Sequence, residues 1–190
     1  MKFALVGAHS SGKTTCLWNV GAELKKRGVK DFTLVQEVAR SCPYPLNEGA
    51  TFETDLWILL KQVESEMDAH RLWKHVICDR SVYDEMVYYK ATVPRGKSGV
   101  NEYFSKIHFL RGIIDNWASL YPYDIIFLFR PLQLVDDPQR SKDIGWQYKI
   151  DSLFEDELIG LPNVIEVNQS NREERSEFVL AKIMERIKNE

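Results

Sequence analysis

The chain has 190 residues, 44% apolar and 28% charged, which places it in the single-domain size range, one domain over 1–190, and outside the composition of disordered segments. Twenty-five Lys and Arg against 28 Asp and Glu leave a net charge of −3, which argues against bulk electrostatic capture of nucleic acid and leaves room only for a local basic patch. Cys16, Cys42 and Cys78 share no C-x-x-C spacing, no run approaches ~18 apolar residues, and the glycine motif at position 7 leaves no room for a leader, so the expected protein is soluble, cytoplasmic and without a membrane partner.

Lys2 to Val6 is a short apolar run, and Leu17, Val20 and Leu24 then fall at helical spacing, so a strand feeds a helix through a glycine loop. Gly28 stops that helix and Phe32 to Val35 reads as a second strand, followed by a polar, proline-bearing stretch from Gln36 to Gly49. Thr51 opens the next helix, with Phe52, Leu56, Leu59, Leu60, Val63 and Met67 as its apolar stripe. Val76 to Cys78 is a third strand ending at Asp79. Ser81 to Ala91 reads as helical, and Tyr103, Ile107, Leu110, Ile114 and Trp117 mark a longer helix. Between these two helices, residues 90–99 are basic and rich in helix breakers, as expected of a mobile loop. Ile125 to Phe129 is apolar throughout, as a strand covered on both faces should be. Trp146, Ile150, Leu153, Phe154 and Leu158 form another helical face, Val164 to Val167 a fifth strand, and Phe178, Ala181, Met184 and Ile187 a closing helix. Strands separated by helices imply parallel crossovers, and hence a three-layer α/β domain with a mostly parallel five-stranded sheet.

Gly7-Ala8-His9-Ser10-Ser11-Gly12-Lys13-Thr14 matches G-x-x-x-x-G-K-[ST] in full, between a strand and a helix, as the phosphate loop requires. Its glycines let consecutive backbone N–H groups turn toward a polyphosphate, Lys13 reaches the β- and γ-phosphates, and the Thr14 hydroxyl holds Mg²⁺. With His9, Ser10, Ser11 and Thr15, these residues form the expected ATP site; His9 fits a variable loop position better than a catalytic one. Ligands in open parallel sheets collect at the carboxyl ends of strands. There the chain places Glu37 and Arg40 after strand two, Asp79 and Arg80 after strand three, and Arg130 after strand four. Asp79 has the position of a Walker-B-like acid on Mg²⁺, Arg80 faces substrate or phosphate, and either Glu37 or Asp79 accepts the proton of an acceptor hydroxyl. The polar run at 130–143 is long enough to close as a lid, which would make Arg140 an internal arginine finger. Trp57 and Gln62 fall off the apolar stripe of their helix and are candidates to touch a flat base, with Phe52 a core residue.

With these residues in hand, the chain resembles the P-loop nucleoside and nucleotide kinase group, and most of all the small AAA-type ATP-binding domains related to bacterial nicotinamide riboside kinase. GAHSSGKTT at Gly7 to Thr15, Glu37-Val-Ala-Arg40 and Asp79-Arg80-Ser81 carry the likeness. The last is also similar to the Asp/Glu-Arg-Ser/Tyr motif of deoxynucleoside and thymidylate kinases. The resemblance implies a P-loop NTPase fold with sheet order 2-3-1-4-5 under a mobile lid. It further implies ATP·Mg²⁺ as donor, a nucleoside-like or nucleotide-like small-molecule acceptor, Glu37 and Arg40 near that acceptor, and Asp79 and Arg80 at the reacting centre. Where the family's lid carries Asp-Gly-x-Arg, this chain has Asp137-Pro138-Gln139-Arg140. Two other readings compete with the kinase. One is a nucleotide-hydrolysing or sensing switch, although no guanine-reading Asn-Lys-x-Asp is present. The other is a polynucleotide-end kinase using Lys90, Arg95 and Lys97, against the negative overall charge.

Overall fold

In the computed structural model, which describes residues 1–92, 99–132 and 143–189, the sheet is built around three strands with no exposed face. β1 (Lys2–Val6) and β4 (Ile125–Phe129) are buried at every position, as is β3 (His75–Asp79), whereas β2 (Phe32–Val35) and β5 (Val164–Val167) are half-buried edges. All pairings are parallel and the order is β2-β3-β1-β4-β5, with Leu5 opposite both Asp79 and Phe127. The expected order 2-3-1-4-5 is therefore observed.

Alternation along the strands sends side chains to two cores. Phe3, Leu5, Phe127 and Phe129 pack with Leu17, Val20 and Leu24 of α1 (Lys13–Lys26) and with Val179, Leu180 and Ile183 of α6 (Arg172–Lys188). Ala4, Val6, Ile126 and Leu128 face the opposite layer, made of α2 (Phe52–Leu72), α3 (Val82–Thr92), α4 (Val100–Leu120) and α5 (Ile144–Leu158). Among the described residues no helix is long and apolar enough to cross a membrane.

Local signals behave as the sequence indicates. After α1, Gly28 adopts φ +81°, and the amides of Gly28 and Val29 return to the carbonyls of Lys25 and Leu24, closing the helix with a left-handed turn. At the start of α2, Thr54 Oγ1 accepts from the Thr51 amide at 3.0 Å and donates to the Pro45 carbonyl at 3.1 Å, tying the helix to the loop before it. Two stripes differ from expectation. Leu60 and Met67 of α2 are each 50% exposed, while Thr54, Asp55, Gln62 and Glu66 are buried. In α6 Ala181 is exposed, and the face against α1 runs through Arg175, Ser176, Val179, Leu180 and Ile183. Both helices are rotated toward polar residues, of which Thr54, Gln62, Glu66, Arg175 and Ser176 find partners inside, a face that apolar spacing does not score.

Candidate active site

The segment between β1 and α1 curls through three positive-φ residues, Gly7 at 128°, Ser10 at 60° and Gly12 at 91°. Gly7 has no room for a side chain, because a Cβ there would lie 2.4 Å from the Phe129 carbonyl oxygen. The loop thus rests directly on the end of β4. Gly12 caps α1 without a side-chain hydrogen bond, which leaves the first-turn amides of the helix available to an anion. Lys13 Nζ folds back on the loop, donating to the Gly7 and Ala8 carbonyls at 2.9 and 2.8 Å and to Ser11 Oγ at 3.1 Å. Burial first, then the charge of Arg80, lowers its pKa from 10.5 to about 8. Thr14 donates to Asp79 Oδ2 at 2.5 Å, and Thr15 is exposed on the first turn of α1.

Two residues distant in sequence brace this loop. Gln147 of α5 donates to the His9 carbonyl at 2.9 Å and to the Leu132 carbonyl at 3.3 Å. Arg175 of α6 donates through Nη1 to the carbonyls of Ser11 and Arg130 at 2.7 and 2.8 Å, and through Nε to the Gln169 carbonyl at 2.7 Å. Arg175 is buried and its pKa is lowered by burial, so it places a cation behind the loop.

Opposite the loop, Arg80 leaves β3 with φ +85°, a backbone state unusual for a side chain of this size. Asp84 holds the turn, accepting from the Ser81 amide and hydroxyl, each at 2.9 Å, and from Arg80 Nη1 at 3.0 Å. Arg80 Nε donates to Glu37 Oε1 at 2.7 Å, and Arg40 Nε to Glu37 Oε2 at 3.1 Å, so one carboxylate joins both guanidiniums. Arg80 also touches Tyr88 Oη at 3.3 Å. Although burial opposes it, Tyr88, Glu37, Asp84 and Asp79 together keep the Arg80 guanidinium charged.

These groups border a shared cavity of about 60 Å³. His9 of the loop, Glu37, Arg40 and Arg80 line it, with Asp55 and Ile58 from α2 and Glu85 and Tyr88 from α3. Glu37, Arg40 and Arg80 are thus gathered at one cavity, with Lys13, Thr14 and Asp79 beside it. Trp57 and Gln62 are not brought there. Trp57 is half-buried outside the lining, and Gln62 donates to Glu66 Oε1 at 2.9 Å and to the Arg80 carbonyl at 3.4 Å. Glu66, wholly buried, also accepts from Lys2, Trp117 and Tyr123 at 2.8, 2.9 and 2.7 Å, so Gln62 belongs to an interior polar cluster behind the site. Arg130 is engaged away from the loop by Asp151, Glu155 and Glu166. Arg140, Asp137, Pro138 and most of the expected lid, and Arg95 and Lys97 of the basic loop, lie outside the described residues.

The donor set at Thr14 and Asp79 fits a magnesium ion. Asp79 Oδ1 is buried without a hydrogen-bond partner next to the Thr14 hydroxyl, and its pKa is raised by burial and by Glu37. No group of three or more His, Cys, Asp or Glu side chains gathers as a metal cluster among the described residues; a magnesium ion takes one or two protein oxygens and fills its shell with phosphate and water.

Asp55, Glu85, Gln147 and Arg175 were missed by sequence reasoning. The first two sit on helices at positions that read as solvated, and the last two act on backbone carbonyls more than 130 residues away. Only the step from Asp79-Arg80-Ser81 to Asp84, three residues beyond Ser81, carries a local signal, that of a side-chain cap at a helix start.

A family model described as an AAA domain matches residues 2–175. Among solved structures, deoxyadenosine kinase from M. mycoides with dCMP and dCDP bound aligns with a TM-score of 0.70 at 17% identity, covering 97% of this chain and 100% of that one. NadR in complex with NAD and AMP-PNP aligns with a TM-score of 0.71 at 13% identity, over 97% of this chain and 48% of that one. NadR in complex with NR gives 0.72 and 15%, over 97% and 50%. The chain thus spans about half the length of NadR, and at these identities the likeness is one of fold. No curated protein sequence matches.

Proposed function

Because this chain belongs to the AAA-domain family and has the fold of P-loop kinases, we propose that it is an ATP-dependent kinase, transferring the γ-phosphoryl group to a nucleoside-like or nucleotide-like small molecule. The observation that carries this reading is the adjacency of two compartments. His9 of the phosphate loop lines the cavity beside it, and the cavity residues Arg80 and Glu37 are among the charges acting on Lys13 and Asp79.

In this reading the amides of residues 7–14 and Lys13 take the donor's phosphates, with Lys13 exchanging the Gly7 and Ala8 carbonyls for phosphate oxygens. Thr14 and Asp79 hold Mg²⁺, which neutralises β- and γ-phosphate charge when bound. Arg80 sits between the compartments, held by Glu37 and Asp84, and faces the phosphoryl group as negative charge spreads over its oxygens. The acceptor oxygen bonds to phosphorus as the bond to the β–γ bridging oxygen breaks. The hydroxyl proton passes to a carboxylate, Glu37 or Asp79, and ADP leaves. Arg40, half of the Glu37 pair, borders the acceptor. Free Cys16, Cys42 and Cys78 suit a reducing cytoplasm.

The test is incubation with ATP·Mg²⁺ and a panel of nucleosides, nucleoside monophosphates and short oligonucleotides, with mass spectrometry of the acceptors. One panel member gaining a single phosphoryl group, in step with ADP release, is the expected result. ADP release that ignores every acceptor and leaves none phosphorylated would refute the kinase reading and favour a nucleotide switch.

A further inference from the structure

Asp55 projects from the first turn of α2 and Glu85 from α3, and both line the cavity. They are 1% and 4% exposed. Asp55 Oδ2 is buried without a hydrogen-bond partner, and neither carboxyl forms an ion pair among the described residues. The cations on the same wall are already engaged: Arg80 by Glu37 and Asp84, and Arg40 by Glu37. Burial pushes both carboxyl pKa values up, and the charge of Asp55 pushes Glu85 up further. The lining also carries the apolar or aromatic side chains of Ile58, Leu46, Ala39 and Tyr88, with Thr54 and Asn47 among them.

A buried carboxyl without a partner is costly, and an amide of the same shape would relieve the cost. Asp55, with Glu85 buried on the same cavity and also without an ion pair among the described residues, is therefore a sacrifice of stability, of the kind found where a ligand supplies the missing partner. We propose that Asp55 and Glu85 determine acceptor specificity, selecting a molecule whose end on the α2–α3 wall donates hydrogen bonds or carries positive charge, and rejecting one that carries phosphate there. An amino-bearing or cationic ring satisfies both carboxyls, and the apolar side chains take its faces. A phosphate placed against the same groups would find Arg40 and Arg80 already paired with Glu37 and Asp84, and no cation given up to it on that wall among the described residues. This inference rests on the acceptor-cavity reading above and narrows it.

The experiment titrates the whole chain, saturated with a non-hydrolysable ATP analogue and Mg²⁺, with three probes of similar shape: cytidine, uridine and nicotinamide riboside. Cytidine presents an amino group where uridine presents a carbonyl, and nicotinamide riboside carries a fixed positive ring. Cytidine or nicotinamide riboside should bind about tenfold or more tightly than uridine, and Asp55→Asn and Glu85→Gln should each erase most of that preference. Affinity for the ATP analogue should stay within about twofold, and both unliganded variants should melt higher than the wild-type chain. A purely structural role for the pair would lower the melting temperature and leave the preference intact, which would overturn the proposal. Probes that bind the wild type and both variants equally would also overturn it while leaving the cavity as the acceptor site. Binding of the ATP analogue with none of the probes would refute the acceptor reading itself, and this proposal with it.

Discussion

Replacing Lys13 by Met separates the two roles of the ammonium, as a burden on the unliganded fold and as a binder of phosphate. Folding lowers its pKa from 10.5 to about 8, so the folded chain binds this proton less tightly than the unfolded one. Between those values the unfolded state holds a proton that the folded state has released, and stability gains about 1.4 kcal/mol per pH unit from this group as pH rises. Below about pH 8 both states are protonated and the whole burden, about 3 kcal/mol, is present. Met removes it but forfeits the donor to the Gly7 and Ala8 carbonyls, which returns about 1–2 kcal/mol. The unliganded Lys13→Met chain should therefore be more stable at pH 7 by about 1–2 kcal/mol, a melting temperature higher by roughly 2–8 °C for a chain of this size. The difference should shrink as pH approaches 10.5. Phosphoryl transfer should be abolished, and ATP·Mg²⁺ should raise the melting temperature of the wild type well above that of the variant. Scanning calorimetry at pH 7 and pH 10, with and without ATP·Mg²⁺, reads all of this. A variant that melts lower than wild type at pH 7, or one that ATP stabilises equally, would refute the reasoning.

Asp79→Asn keeps a hydrogen-bond partner for Thr14 but removes the charge beside the buried Oδ1. Mg²⁺-dependent turnover should fall by at least about 10²-fold, with ATP binding by calorimetry partly preserved; normal turnover would place the metal elsewhere. Arg175→Met takes the donor from the Ser11, Arg130 and Gln169 carbonyls and slackens the loop from behind. A loss of about 2–3 kcal/mol by denaturant unfolding and a several-fold higher KM for ATP are expected, with Arg175→Lys recovering part of both. Lys2→Met leaves the wholly buried Glu66 without its cationic partner, so about 3–5 kcal/mol should be lost, and adding Glu66→Gln should recover most of it. Urea midpoints of the single and double variants measure that coupling.

What the chain order reveals without a fold is the part of the molecule whose physics is local. The full apolarity of Ile125–Phe129 marks a covered strand, and Gly7, Gly12 and the Lys-Thr that follows announce a loop that must turn left-handed between strand and helix. Each of these depends on residues within one or two turns of each other, so spacing suffices. Strand ends, too, were legible: a parallel sheet brings its carboxyl edges together, and Glu37, Arg40, Asp79 and Arg80 meet there for that reason.

Helix faces were legible only where they are apolar. On α2 the inward side carries Asp55, Gln62 and Glu66, and nothing in its own sequence distinguishes these from solvated positions. Glu66 is buried because Lys2 of β1, Trp117 of α4 and Tyr123 of the loop before β4 arrive to satisfy it, and Gln62 is drawn inward by Glu66 and the Arg80 carbonyl. Arg175 reaches the loop only because α6 packs beside α1 against the same face of the sheet. Sequence by itself thus determined that a phosphate loop exists and which edge of the sheet faces it. The packing of distant elements decided which polar groups are enclosed, because whether burying a charge is tolerable depends on partners that spacing along the chain does not reveal.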